Sequence, residues 1–512
     1  MSSTLEAPAA RARVRASRAL LLVFLACLAG PCAGRLLARV EPNLAEAELR
    51  RATEAPKWSW DSNAIQGYPR SYESYFADRL GLRSELLRWN SLQSIGIFGQ
   101  FPGESMYIGR EGFWFYADEH ARDAWRGLYP FTRDELERWA SELVAEAQWC
   151  RAHGMLFLVA VAPSKELIYP ELVPERWSRV GPSRYDQLFE RLEHSGVPLL
   201  DLRPAIEAEK LHDRPAERDF TYHPLGTHWT ERASWAAYVA IERELAKSCP
   251  GFVPRARAQL AYERSELPGD TWAARAYVSD VYTQPYFSVA PQSGWRQTVT
   301  REPYRGRMTV RRHGPDPSRP RVVMLRDSFG FKVDELLAED CSLLVQSHYV
   351  GFERHLIESV QPEVVIELLV DRKLNFPPGE SEPGDEQKEL AQAFQAAGPA
   401  ARVLSLQRPP AQAALARGTK LELPPVSLDP ERCAVVRVLL QTQSPGVLVL
   451  EGRLEASATG CPPRRIQIAF TAGTSQIFAR LASRDLAAGA RVSVLGGGTV
   501  SLRLVDARAE SR

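Results

Sequence analysis

Two uninterrupted apolar runs, Leu156–Ala162 (LFLVAVA) and Val364–Val370 (VVIELLV), constrain this chain more than any other feature. A strand with one face in water alternates apolar and polar residues. A strand covered on both faces does not, so continuous runs of this length call for a parallel sheet between layers of helices. Val197–Leu202, Val322–Leu325 and Ser342–Gln346 are shorter runs of the same kind. Thr132–His153, Pro182–His194 and Trp229–Ala246 carry helical periodicity between them, so the expected fold class is α/β, a parallel sheet flanked by helices.

The chain has 512 residues, more than one ordinary domain needs. Residues 11–18 (RARVRASR) are basic and precede an uncharged run from Ala19 to Gly34, too short for a comfortable membrane span, so residues 1–38 read as a signal peptide or an uncleaved signal-anchor. Either places the remainder outside the cytoplasm, in the periplasm or cell envelope. Residues 39–67 are polar and aperiodic and read as a stem. The main domain spans 68–406, with 251–320 a short-pieced, aromatic-rich insertion of irregular or β character. Residues 407–425 are rich in Pro and Ala and read as a linker, and 426–512 carry short strands at regular spacing, the pattern of a small all-β sandwich.

With 64 basic and 63 acidic residues the net charge is +1, which gives no signature of nucleic-acid binding. No Cys pair has metal-ligand spacing, so no metal or cofactor is expected. Cys433 and Cys461 share the C-terminal segment, where a disulfide and two buried thiols are both open readings.

The string with chemistry in it is Arg321–Lys332, RVVMLRDSFGFK. A serine where a parallel strand ends projects into the crevice where α/β sheets bind ligands, although the same Ser328 serves equally as a helix N-cap. A nucleophilic serine needs a base, and His228, just before the Trp229–Ala246 helix, is the candidate, although a histidine at a loop–helix junction can also be purely structural.

Several strings, in order along about Tyr68–Asn375, resemble the alginate O-acetyltransferase family of exported proteins with an SGNH-hydrolase-like domain. They are SYESYFADRLGLR (Ser71–Arg83), EGFWFY (Glu111–Tyr116), APSKELIYPELVP (Ala162–Pro174), VPLLDLRPAI, THW (Thr227–Trp229), LPGDTW and RDSFG. The resemblance implies an SGNH-hydrolase-like sheet, an acetyl donor, a polysaccharide acceptor and a membrane-bound O-acyltransferase partner. It matches Ser328 to the acyl-accepting serine, His228 to the general base and Asp327 to an acid that supports the turn. The family's third triad member lies two residues before the histidine, where this chain has Gly226. Losing that acid in triad enzymes costs orders of magnitude in rate.

Three consequences stay open: a substitute acid (Asp219, then Asp201), a slow Ser–His dyad, or a non-catalytic carbohydrate-binding scaffold of an exopolysaccharide secretion complex. Ser328 N–H would supply one oxyanion donor. His223 is a weaker candidate near the crevice. Arg372, in the Asp371-Arg372 pair, reads as an ion-pair partner before a substrate ligand. Because water can replace the sugar in the same chemistry, an SGNH-type acetyl esterase is the neighbouring reading.

Overall fold

The two long apolar runs form neighbouring strands of a seven-stranded sheet. The computed structural model describes residues 15–26, 29–30, 51–58, 60, 62–268, 271–291, 297–304, 307–348, 351–378, 386–397, 402–405, 414–415, 420–423, 425, 433–441, 445–452, 465–474, 476–482, 485–486, 489–495 and 500–509. They divide into two units: Met1–Asp118 with His223–Thr227 and Glu266–Tyr286, and Glu119–Tyr222 with His228–Ser265 and Phe287–Arg512.

In the first unit, residues 15–26 are helical, and no described helix is long and apolar enough to cross a membrane. Helices α1 (Ser62–Asp78) and α2 (Arg83–Gly96) follow, then a hairpin of β1 (Met106–Ile108) and β2 (Trp114–Tyr116). Because α1 starts at Ser62, it takes in the end of the expected 39–67 stem; residues 39–50 of that stem lie outside the described residues. Trp114 and Leu225 share an apolar cluster with Ala273 and Val278, and Trp114 N–H donates to Pro224 O at 2.8 Å.

The second unit carries α3 (Arg133–Ala152), β3 (Leu156–Ala162), α4 (Arg184–Leu192), β4 (Leu199–Asp201), α5 (Arg203–Lys210) and α6 (Glu231–Ala246). The pair β5 (Leu260–Pro268) and β6 (Thr283–Pro291), whose residues 266–268 and 283–286 belong to the first unit, follows, then β7 (Thr298–Tyr304), β8 (Arg307–His313), β9 (Arg321–Arg326), β10 (Leu343–His348), α7 (Arg354–Val360), β11 (Val364–Val370) and α8 (Glu386–Ala396). The sheet order is β4-β3-β11-β9-β10-β8-β7, parallel through the first five strands and antiparallel in the last two. Every residue of β9 and β11 is buried, which is why neither alternates. The helix starts are encoded locally: Thr132 with Glu135 and Ser183 with Asp186 form capping boxes on α3 and α4.

A further boundary differs from the sequence reading. The end of the 251–320 segment is not an insertion beside the sheet, because β7 and β8 extend the sheet itself, with β8 pairing on β10. Both are antiparallel additions at an edge and need no apolar run, so the pattern that reveals the central strands does not reveal them.

The C-terminal region folds as two antiparallel sheets. One holds β12 (Arg402–Ser405), β13 (Ala414–Leu415), β15 (Cys433–Gln441), β18 (Gln476–Ala482) and β20 (Val500–Ala509). The other holds β14 (Lys420–Leu423), β16 (Gly446–Gly452), β17 (Arg465–Phe470) and β19 (Ala490–Leu495). Strands β13 and β14 fall in the stretch expected to be linker. The apolar core draws Val436 and Val438 from one sheet and Leu448, Leu450 and Val492 from the other. Cys433 is buried and not in a disulfide, which corrects the Cys433–Cys461 disulfide reading, whereas Cys249 is disulfide-bonded.

Candidate active site

Ser328 stands one residue past Asp327 at the carboxyl end of β9, between β11 and β10, where a parallel sheet opens its crevice. The turn that presents it is built by its two neighbours. Asp327, nearly fully buried, accepts from Phe329 N–H at 2.8 Å and from Val370 N–H at 2.7 Å, which ties the turn to the end of β11. Arg326, also buried, donates to Gln346 Oε1 at 2.6 Å, to Asp327 O at 3.0 Å and to Asp334 Oδ2 at 3.1 Å. That guanidinium explains the glycine in Asp-Ser-Phe-Gly. A Cβ on Gly330 would lie 2.2 Å from Arg326 Cδ and 2.8 Å from its Cβ, and the side chain is pinned at three points. Gly330→Ala is therefore expected to destabilise the protein by ~1–3 kcal/mol, read as a lowered urea midpoint, and to reduce activity with it.

His228 arrives from the other side. Its Nε2 lies 2.8 Å from Ser328 Oγ, the geometry of a nucleophile and its base. The loop before it is held by buried polar contacts. Tyr169 O–H accepts from Thr221 N–H at 3.0 Å and donates to Asp213, whose Oδ1 accepts from Thr221 Oγ1 at 2.7 Å. Tyr222 O–H donates to Pro163 O, and Trp229 Nε1 donates to Phe329 O at 3.0 Å. The Ala162–Pro174 motif thus acts through Pro163 and Tyr169 as the cradle of the histidine loop. A further strap joins the first residue of α6 to the serine turn, with Lys332 Nζ 3.0 Å from the Glu231 carboxylate.

The structure separates the remaining candidates. Asp219 accepts from Arg214 at 2.7 Å and from Tyr262 O–H at 2.9 Å, and Asp201 pairs with Tyr185 and with Arg203 at 3.1 Å. Both carboxylates are thus engaged in structural ion pairs and hydrogen bonds. His223 stacks on Tyr286 in the first unit, ring centroids 6.0 Å apart. Arg372 has Nε 3.6 Å from Glu119 and its guanidinium carbon 5.1 Å from the Phe329 ring centroid, so the ion pair stands beside the serine turn.

Asp371, which the sequence presents only as the neighbour of Arg372, directly follows β11. It accepts from Ser164 Oγ at 2.9 Å, while its other oxygen is enclosed and unpartnered. Burial pushes its carboxyl up to about 7. Glu367, in the middle of β11, and Glu146 of α3 form a buried carboxyl pair whose affinity for protons is raised by burial, and burial likewise raises Glu242 to about 9.

Ordinary carboxyls titrate near 4 in the unfolded chain, so the fold holds extra protons between about pH 4 and pH 9. The stability these groups contribute is complete below the unfolded value and is lost as pH rises through 7 and then 9. The melting temperature is expected to fall from pH 5 to pH 9, with a shallower slope in Glu367→Gln, as scanning calorimetry would show.

The sheet and the serine at its carboxyl edge make an α/β domain with Ser328 and His228 together in its crevice. Residues 106–282 match the family model described as SGNH hydrolase-like domain, acetyltransferase AlgX. That stretch lies within the one from which the motif resemblance is read, includes His228 and ends before Ser328. No curated protein matches the chain. Among solved structures, Bacillus cereus PatB1 is similar at 13% identity and TM-score 0.39 over 49% of this chain and 93% of that one. The O-acetyltransferase domain of Pseudomonas putida AlgJ is similar at 13% and 0.37, over 56% and 96%. Pseudomonas aeruginosa AlgX is similar at 12% and 0.34, over 79% and 93%.

Proposed function

We propose that this protein is an exported polysaccharide O-acetyltransferase, and the single observation that carries the reading is the 2.8 Å contact between His228 Nε2 and Ser328 Oγ at the sheet's carboxyl edge. His228 takes the Ser328 proton as Oγ attacks the acetyl carbonyl of a donor. The protonated imidazole gives that proton to the departing donor group, leaving acetyl-Ser328. A sugar hydroxyl then surrenders its proton to His228 and attacks the ester carbonyl, which restores Ser328 and releases the O-acetyl sugar. Export is supported by the basic cluster and apolar run of residues 11–34 and by the disulfide at Cys249. A periplasmic or envelope location, with acetyl delivered by a membrane-bound O-acyltransferase partner, follows from the same reading.

Gly226 in the third triad position supports slow turnover by a Ser–His pair, and it is also the observation that favours a non-catalytic scaffold. Gly226→Asp is expected to raise kcat about tenfold or more, since an oriented imidazole is worth several orders of magnitude in triad enzymes. An unchanged kcat would mean that another group already orients His228.

Acetyl transfer is tested by incubating the protein with 4-nitrophenyl acetate and a neutral oligosaccharide, and following both acetylated sugar and free acetate by mass spectrometry. Transfer predicts acetylated sugar that disappears in Ser328→Ala. Acetate alone would make the protein an esterase, and neither product would leave the scaffold.

A further inference from the structure

A second cavity in the same unit, of about 390 Å³, is lined by neither Ser328 nor His228. It opens between the start of α6, the loop after α5, and the β5–β6 pair, and its volume falls within the range of small-molecule sites. Its walls mix charge and aromatic surface: Arg214, Arg232, Arg257, Asp219, Trp235 and Tyr262.

The charges cancel locally. Arg214 pairs with Glu217 at 2.6 Å and Asp219 at 2.7 Å, Arg232 pairs with Asp213 at 2.5 Å, and Arg257 pairs with Glu209. An anionic ligand such as a uronate or phosphate would therefore find no guanidinium to itself. An apolar ligand fits no better, because it would cover the half-exposed heads of Arg214 and Arg257, ion-paired donors that stand beside carboxylate acceptors. Groups that both donate and accept suit such a wall, and a hydroxyl does both. The indole and phenol rings add the apolar surface that the C–H face of a sugar ring covers.

We infer that this cavity binds an uncharged sugar unit, and that it anchors a neutral stretch of polysaccharide on the enzyme apart from the serine. Arg232, the second residue of α6 and four residues after His228 in sequence, grips Asp213, the residue that holds Thr221 in the histidine loop. Sugar in the cavity and the placement of the base thus share one side chain. The inference deepens the proposed function, on which it rests for the identification of the sugar as acetyl acceptor, by naming the polymer's repeating units as neutral at this point.

The test is calorimetric titration of the full-length protein with neutral tetrasaccharides of glucose, galactose and mannose, and with a mannuronate tetrasaccharide as the acidic comparison. At least one neutral tetrasaccharide is expected to bind more tightly than the mannuronate. Trp235→Leu, which removes the indole, and Leu260→Trp, which fills the cavity, should each weaken that binding at least tenfold, whereas Ser328→Ala leaves it within twofold. Circular dichroism identifies a variant that fails to fold, and the other then decides. No neutral binding, a preference for mannuronate, or binding unmoved by a folded cavity variant would overturn the inference. Sugar binding that obeys these expectations in a protein without acetyl transfer would overturn the proposed reaction and leave the cavity assignment standing.

Discussion

Ser328→Ala is expected to lower kcat for acetyl transfer by about a thousandfold or more while leaving the urea midpoint unchanged. The hydroxyl is a small group at the end of β9, and its described contact is with His228 at 2.8 Å, so removing it takes away the nucleophile and little packing. His228→Ala should cost nearly as much, because a serine hydroxyl without a base is a poor nucleophile at neutral pH. The double variant should lose little beyond either single one, since both side chains serve one proton transfer. Losses that multiply in the double variant would show that the two residues act separately.

Asp327→Ala should produce the second large effect, and a different one. Its carboxyl accepts from Phe329 N–H and Val370 N–H inside the protein, joining the serine turn to β11. Alanine leaves two buried backbone donors unsatisfied, at roughly 1–3 kcal/mol each, so a stability loss of about 2–6 kcal/mol is expected from denaturant unfolding. Activity should fall together with stability, and Asp327→Asn, which still offers one acceptor, should fall between. A fully active, fully stable Asp327→Ala protein would show that the turn does not depend on this side chain.

The central strands were legible because burial on both faces leaves a direct mark on sequence: LFLVAVA and VVIELLV appear as β3 and β11 with the bounds their apolar character implies. The edge strands β7 and β8 left no such mark, since one-sided and antiparallel strands tolerate the Arg, Thr and Tyr they contain. The short strands between 402 and 423 were hidden by Pro and Ala around them.

At the site, the serine and histidine were readable from motif and position. Their closeness across 100 residues was not, because it depends on where the loop before α6 is pinned. The pins themselves, Tyr169 to Asp213 and Tyr222 to Pro163, join residues from separate segments with no shared spacing. The partners of the acid candidates were hidden for a related reason. Asp219 and Asp201 were chosen for nearness in sequence or place at a strand end, whereas Arg214, Tyr262, Tyr185 and Arg203 claim them in three dimensions.

The most direct measurement of the central claim is peptide mapping by mass spectrometry after a short exposure of the protein to an activated acetyl ester, quenched in acid. An acetyl group on the peptide containing Ser328, absent in Ser328→Ala, scarce in His228→Ala and discharged on adding an oligosaccharide, is the predicted result. No acetyl on Ser328 under conditions where acetyl reaches the sugar would contradict the account.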